Sequence, residues 1–205
     1  MRKMMLLGMG RSGTHAVIQW IANGMGGVVR QENNCFNGWK EKKLIYNSLK
    51  ITGEGEAVGI IKSIDDFYLP LWDKLGIGGW EEFECKISVI RSPRNWLASS
   101  IATGGWANEY LDKTPNDEKE SPVNRIEGYK YYRDNSFGVR VNYDKWCLND
   151  NYRGTIANML GITNNPTPKH CKFSSFGKNH DYTGDRYELL NKKQKKRFDK
   201  LFQKM

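Results

Sequence analysis

The stretch KMMLLGMGRSGTHAVIQWIANG, positions 3 to 24, constrains the fold more than any other part of the chain. A short apolar run closed by glycine reads as a strand buried on both faces. The residues after it, with Val17, Ile18 and Ile21 on one side, predict a helix from Thr14 to Asn23, stopped at Gly24. Glycines at 8, 10 and 13 crowd the junction. Glycine lets the backbone come close to a ligand, and a helix N-terminus turns unpaired N–H groups and a positive dipole end toward an anion. Arg11 adds a fixed charge there, and Ser12 and Thr14 add hydroxyl donors.

The same alternation continues downstream. Strands are expected at 27–31 (GVVRQ), 57–62 (AVGIIK), 85–90 (CKISVI) and 137–143 (FGVRVNY), and helices at 94–102 (RNWLASSIA) and through YRGTIANMLG to Gly161. Strand–helix alternation predicts an α/β fold: three layers, with a central parallel sheet of about five strands flanked by helices. The polar, proline-marked segment 104–124 reads as a long functional loop. Leu189, Leu190, Phe198, Leu201 and Phe202 are spaced as the inner side of an amphipathic C-terminal helix with a Lys-rich outer face. With no internal repeat and 205 residues, one domain over 1–205 is expected.

Composition narrows the partners. A net charge of +9 suits a polyanionic ligand. No recognised module or aromatic interleaving points to nucleic acid. Four scattered cysteines and three histidines show no zinc spacing, so no metal is expected and the thiols read as free. No run approaches the ~18 apolar residues of a membrane span, and MRKMMLLGMG lacks the apolar length of a signal peptide. The chain reads as cytoplasmic; oligomeric state is not legible.

The glycine loop admits three readings. Gly8, Gly10 and Gly13 satisfy G-x-G-x-x-G, and Glu32 follows about twenty positions later, where a dinucleotide fold places its ribose carboxylate. A nucleoside triphosphatase loop fails, because Thr14 and His15 stand where Lys and Ser/Thr belong. The third reading is a loop for a phosphate-linked sulfate. A second stretch, SVIRSPRNWLASS, favours it. Arg91 at the end of a buried strand and Ser99 in the next helix could grip one phosphate, the arginine through charge-assisted hydrogen bonds.

Together the two stretches resemble the sulfotransferase family, which uses 3′-phosphoadenosine 5′-phosphosulfate as donor. GRSGTH (Gly10, Arg11, Ser12, Gly13, Thr14, His15) is similar to the 5′-phosphosulfate loop. RSPRNWLASS is similar to the 3′-phosphate motif R-x-P-x-D-x-x-x-S, with Arg91 and Ser99 in place and Asn95 where Asp is common. VNYDKW resembles the element that brings a tyrosine, here Tyr143, near the adenine. FSSFGKN would put Ser174 and Phe176 at the base, and TGDRYELLNKKQKKRFD resembles the closing helix. The resemblance implies a P-loop-type α/β fold and a nucleotide-binding transferase. It would move a sulfuryl group to an acceptor hydroxyl or amine without a metal, releasing adenosine 3′,5′-bisphosphate. The acceptor classes it leaves open are carbohydrate, lipid and small molecule.

There are departures. Only Lys178 stands near the place of a basic loop that grips the 3′-phosphate in many members. Cytosolic members carry Lys-Thr-His with the histidine as base; IIKSID keeps Lys62 without a histidine. Carbohydrate-type members use a carboxylate near the end of the second strand, and Glu32 fits that place. The expected catalytic set is therefore Glu32 as base with Lys62 and Arg11 on the leaving-group side. Asp65, Asp66 and His15 are the alternative bases. Arg94 reads as a helix-start surface residue, and Trp20 and Trp96 as core. Trp39, Trp106 and Tyr110 are candidates for an acceptor site.

Overall fold

The computed structural model describes residues 1–34, 46–65, 83–104, 108–113, 124–135, 137–166 and 185–205. Strands β1 (Arg2–Gly8), β2 (Val28–Asn34), β3 (Tyr46–Thr52), β4 (Ala57–Asp65), β5 (Cys85–Ile90) and β6 (Val139–Asn142) form one sheet. Its order is β3-β2-β4-β1-β5-β6. Every neighbouring pair is parallel except β2 and β3. The five expected strands are present, and β3 is an additional antiparallel edge. A turn through Gly53 and Gly55, both at positive φ, joins β3 to β4. A side chain at Gly53 would collide with the Gly27 carbonyl, so only glycine fits.

Helices cover both faces. On one side α1 (Thr14–Gly24), α4 (Tyr143–Leu148) and α5 (Asp150–Leu160) pack on Met4, Leu6, Ile61, Ile87 and Val89. On the other, α2 (Pro93–Thr103), α3 (Arg125–Asp134) and α6 (Lys192–Phe202) pack on Met5, Leu7, Ile64 and Ile90. This alternation along β1 and β4 is the strand period of two, applied to a sheet with two covered faces. Trp20 and Trp96 are fully buried, as expected.

Local chemistry sets the ends. Ser92 caps α2 by accepting from the Asn95 amide, with Pro93 in the first turn. Gly161, left-handed, stops α5, and Arg2 donates to the carbonyls of Leu160 and Gly161. The expected C-terminal helix divides into a 3₁₀ turn at Arg186–Leu189 and then α6, which opens on a capping box between Asn191 and Gln194. Leu190, Phe198 and Leu201 are buried as predicted, but Leu189, in the 3₁₀ turn, and Phe202, at the end of α6, are exposed. α3 and α4 were not expected from the sequence.

The sheet order bears on the dinucleotide reading. In a dinucleotide fold the second strand lies beside the first. Here β4 separates them, so Glu32 is not on the strand next to the glycine loop. The loop after β1 instead opens at the carboxyl ends of the sheet, where the chain leaves β1 toward β2 on one side and its neighbour β5 toward β6 on the other, the usual place for a ligand in such folds.

Candidate functional site

The loop from Gly8 to Thr14 is shaped by two close approaches. A methyl group at Gly8 would collide with Thr14 Cγ2, and one at Gly13 would enter the Tyr143 ring. Gly13 also has φ +88°, and Arg11 adopts φ +78°, a conformation uncommon outside glycine and recurrent at binding loops. The Ser12 amide closes the turn onto the Met9 carbonyl at 2.9 Å. Gly13 is the N-cap of α1 and supplies no capping side chain, and the first turn holds no acid. The helix therefore opens without a side-chain cap, its positive end facing the loop. Ser12 is 1% exposed, and its Oγ has no hydrogen-bond partner among the described residues. Thr14 is buried behind it, while Gly10, Arg11 and His15 are partly exposed.

Two buried side chains from the opposite layer hold this loop by one carbonyl. Trp96 Nε1 and Arg125 Nη2 both donate to Gly10 O, at 3.0 and 2.9 Å. Arg125 opens α3, whose Tyr129 stacks on Trp96 and donates its hydroxyl proton to the Arg91 carbonyl at 2.5 Å. Burial pushes the Tyr129 hydroxyl pKa far up, so it stays a donor. Neither Arg125 nor Tyr129 was singled out from sequence.

Arg91 follows β5 and is buried beside the loop. Its Nη1 donates to the Arg11 carbonyl at 3.4 Å, and its guanidinium lies 5.1 Å from the centre of the Tyr143 ring. Its Nε stands 3.6 Å from Asp144 Oδ1. Neither Nε nor Nη2 has a hydrogen-bond partner among the described residues. A buried guanidinium with unmade hydrogen bonds, next to a buried serine hydroxyl with none, fits an anionic ligand bearing several acceptor oxygens. Asn95 donates from Nδ2 to Asp144 Oδ1 at 3.1 Å and accepts the Arg186 amide at 3.0 Å. Ser99 sits farther along α2, half-buried, with its carbonyl accepting from Thr103 Oγ1. Arg94 pairs with Asp185 at 2.8 Å and stacks on Tyr187.

A second cluster lies across the sheet. Glu32 on β2 is in register with Lys62 on β4, which is in register with Met5 on β1. Glu32 Oε2 stands 3.6 Å from Lys62 Nζ, and Oε1 is 2.7 Å from Arg30 Nε. Lys62 Nζ also lies 5.4 Å from the centre of the Phe83 ring. Ser63 and Ile64, after Lys62, are both buried, and neither is a proton acceptor. Thus Glu32 and Lys62 are brought together, as are Arg91, Arg11 and Tyr143. Ser174, Phe176, Asp66, Lys178, Trp39 and Trp106 lie outside the described residues, as does the side chain of Asp65.

Burial raises the thiol pKa values of Cys85 and Cys147, the latter to about 11, so both stay protonated at neutral pH. Both are free, as expected; Cys35 and Cys171 lie outside the described residues. Among the described residues, no group of three or more His, Cys, Asp or Glu could hold a metal ion, and no helix is long and apolar enough to cross a membrane.

No protein-family model matches the chain, and no curated protein matches it. Among solved structures it is similar to the mouse sulfotransferase SULT7A1 complexed with PAP. The TM-score is 0.55 at 14% identity, and the match covers 99% of this chain and 84% of the other. At that identity the likeness speaks for the fold, and the chain has the α/β fold of a sulfotransferase.

Proposed function

We propose that the protein is a sulfotransferase that moves a sulfuryl group from 3′-phosphoadenosine 5′-phosphosulfate to a hydroxyl or amine. The observation that carries this is Arg91. It is buried at the carboxyl end of the sheet and bonded to the glycine loop at the Arg11 carbonyl; two of its guanidinium nitrogens, and the hydroxyl of Ser12 in that loop, have no hydrogen-bond partner among the described residues. In this reading Arg91 and Ser99 take the 3′-phosphate. Gly10, Ser12, Gly13, Thr14 and His15 form the cradle of the 5′-phosphosulfate. Tyr143, Ser174 and Phe176 serve the adenine. The PAP-bound neighbour of the same fold supports the choice of nucleotide.

The reaction is an in-line displacement at sulfur. The acceptor oxygen or nitrogen forms a bond to sulfur as the bond to the bridging oxygen breaks. The electron pair leaves on adenosine 3′,5′-bisphosphate, and the acceptor's proton passes to Glu32. Arg11, Lys62 and the loop N–H groups stabilise charge on the leaving oxygen, and no metal enters the scheme. The acceptor would be a carbohydrate, lipid or small molecule, and the compartment the cytoplasm.

A second reading has one observation in its favour. Both Glu32 oxygens face cations, Arg30 and Lys62, as expected of a nucleotide-binding protein that no longer uses this carboxylate as a base.

Thermal melting tests the donor site. Adenosine 3′,5′-bisphosphate, NAD⁺, NADP⁺ and ATP with magnesium are added separately. A ligand at 100 times its Kd adds ~2.7 kcal/mol, a rise of roughly 5–10 °C for a domain of this size. A rise with the bisphosphate alone is expected; a rise only with NAD⁺ or NADP⁺ would overturn the proposal. Transfer of labelled sulfate to a panel of sugars, phenols and amines then separates the enzyme from the binding protein.

A further inference from the structure

Arg91 is fixed on three sides. Its Nη1 meets the Arg11 carbonyl, its plane lies near the Tyr143 ring, and its Nε faces Asp144. Nη2 is the buried corner left over. The fixed point of this arrangement is Asp144, whose Oδ2 accepts the Ser92 amide at 2.7 Å while Oδ1 accepts Asn95 Nδ2 at 3.1 Å. Asn95 must be an amide for this to work. Its Nδ2 donates to Asp144 while its Oδ1 accepts the Arg186 amide at 3.0 Å. A carboxylate at 95 would set two like charges in contact with no proton between them. The departure at position 95 and the carboxylate at 144 are therefore one feature: a single negative charge shared by two positions and placed next to the arginine.

We propose that Asp144 is the positioning residue for Arg91, that Asn95 allows its carboxylate to stand there, and that this pair sets a preference for a 3′-phosphorylated nucleotide over a simple 5′-nucleotide. The proposal rests on the reading of Arg91 as the 3′-phosphate ligand. Orientation of a fork-shaped donor matters because a phosphate is recognised through parallel N–H bonds, and a rotated guanidinium offers only one.

Isothermal titration of adenosine 3′,5′-bisphosphate and adenosine 5′-monophosphate gives the preference as a ratio of Kd values, with thermal melting beside it. In Asp144→Asn the ratio is expected to fall about tenfold with monophosphate affinity unchanged. The swap Asn95→Asp with Asp144→Asn can keep each hydrogen bond of the cluster but moves the charge away from Arg91. It is expected to restore the melting temperature and not the ratio. A purely structural role would restore both, and that result overturns the proposal. An unchanged or increased ratio in Asp144→Asn, as expected if Asp144 merely competes with phosphate for Arg91, also overturns it. Should the single variant fail to fold, the swap carries the comparison. Wild-type protein that binds the two nucleotides equally, or neither, overturns the donor-site reading itself before any variant is made.

Discussion

Arg91 and Arg30 each meet one carboxylate, but in opposite settings. The Arg91 side chain is 5% exposed, and its partner Asp144 is tied to the Ser92 amide and to Asn95. The Arg30 side chain is 55% exposed, and its partner Glu32 sits between it and Lys62. Around Arg91, burial and cross-bonding hold donors in place before a ligand arrives. Across the sheet, long side chains hold a carboxylate that can change partners. The first arrangement suits a ligand of fixed shape, as a nucleotide donor is. The second suits a step in which a proton and an acceptor come and go. The Arg30–Glu32 pair has an exposed partner and contributes little to stability, so releasing Arg30 from Glu32 costs little.

The largest effect that could break this comparison is on turnover. Glu32→Gln keeps the shape and removes the base. Sulfate transfer should fall by about 10²–10⁴, with bisphosphate affinity by titration within about twofold of wild type. Transfer at the wild-type rate would remove Glu32 as the base and turn attention to Asp65, Asp66 and His15.

The second effect is on binding. Arg91→Ala removes two charge-assisted hydrogen bonds of ~1.5 kcal/mol each, so bisphosphate affinity should fall about 100-fold. Loss confined to the bisphosphate, with adenosine 5′-monophosphate unaffected, would locate the effect at the 3′-phosphate. Equal losses for both would mean that Arg91 acts on the loop through the Arg11 carbonyl instead.

The third is on stability, and it compares two glycines. Gly13 has φ +88° and would drive a side chain into the Tyr143 ring; Gly26 has φ +69° and faces open space. Gly26→Ala should cost about 1–2 kcal/mol, the backbone penalty alone. Gly13→Ala adds overpacking and should cost about 2–4 kcal/mol, read as a clearly lower melting temperature. Equal melting shifts would mean that Tyr143 moves aside freely, and the donor corner would be softer than its bonding implies.

What could be read from the sequence follows the range of the interactions. β1, the glycine loop and α1 are local and announce themselves by an apolar run, glycines and a helical stripe. β3 was missed although Gly53 and Gly55 marked its turn, because Tyr46–Thr52 alternates weakly and lies at an edge. α3 was missed because its inner face is built from Arg125, Tyr129 and Tyr132, with Ile126 its one aliphatic buried residue. A polar side chain can be core when its head has a carbonyl to reach, as Arg125 has in Gly10. Asp144 lies in the VNYDKW stretch, but nothing there singles it out beside Tyr143. Its meaning depends on β5 and β6 being neighbours, which brings the start of α4 beside the end of β5. Glu32 was found through a resemblance, but its pairing with Lys62 is a matter of register between β2 and β4.

The smallest predicted effect compares two arginines three positions apart. Arg94 carries the same charge as Arg91 but lies inside α2, and its side chain is 45% exposed. It pairs with Asp185 at 2.8 Å and lies over Tyr187 at 4.4 Å, joining α2 to the 3₁₀ turn before α6. An exposed pair contributes about 0.2–1 kcal/mol and an exposed cation–π contact about 0.5–1 kcal/mol. Arg94→Ala should therefore lower the melting temperature by roughly 2–6 °C, less at high salt. Bisphosphate affinity should not change, because Arg94 is engaged with the C-terminal elements. A loss of affinity comparable to that of Arg91→Ala would mean that the anion seat is wider than the buried corner. Charge near the site would then matter more than the geometry that holds Arg91.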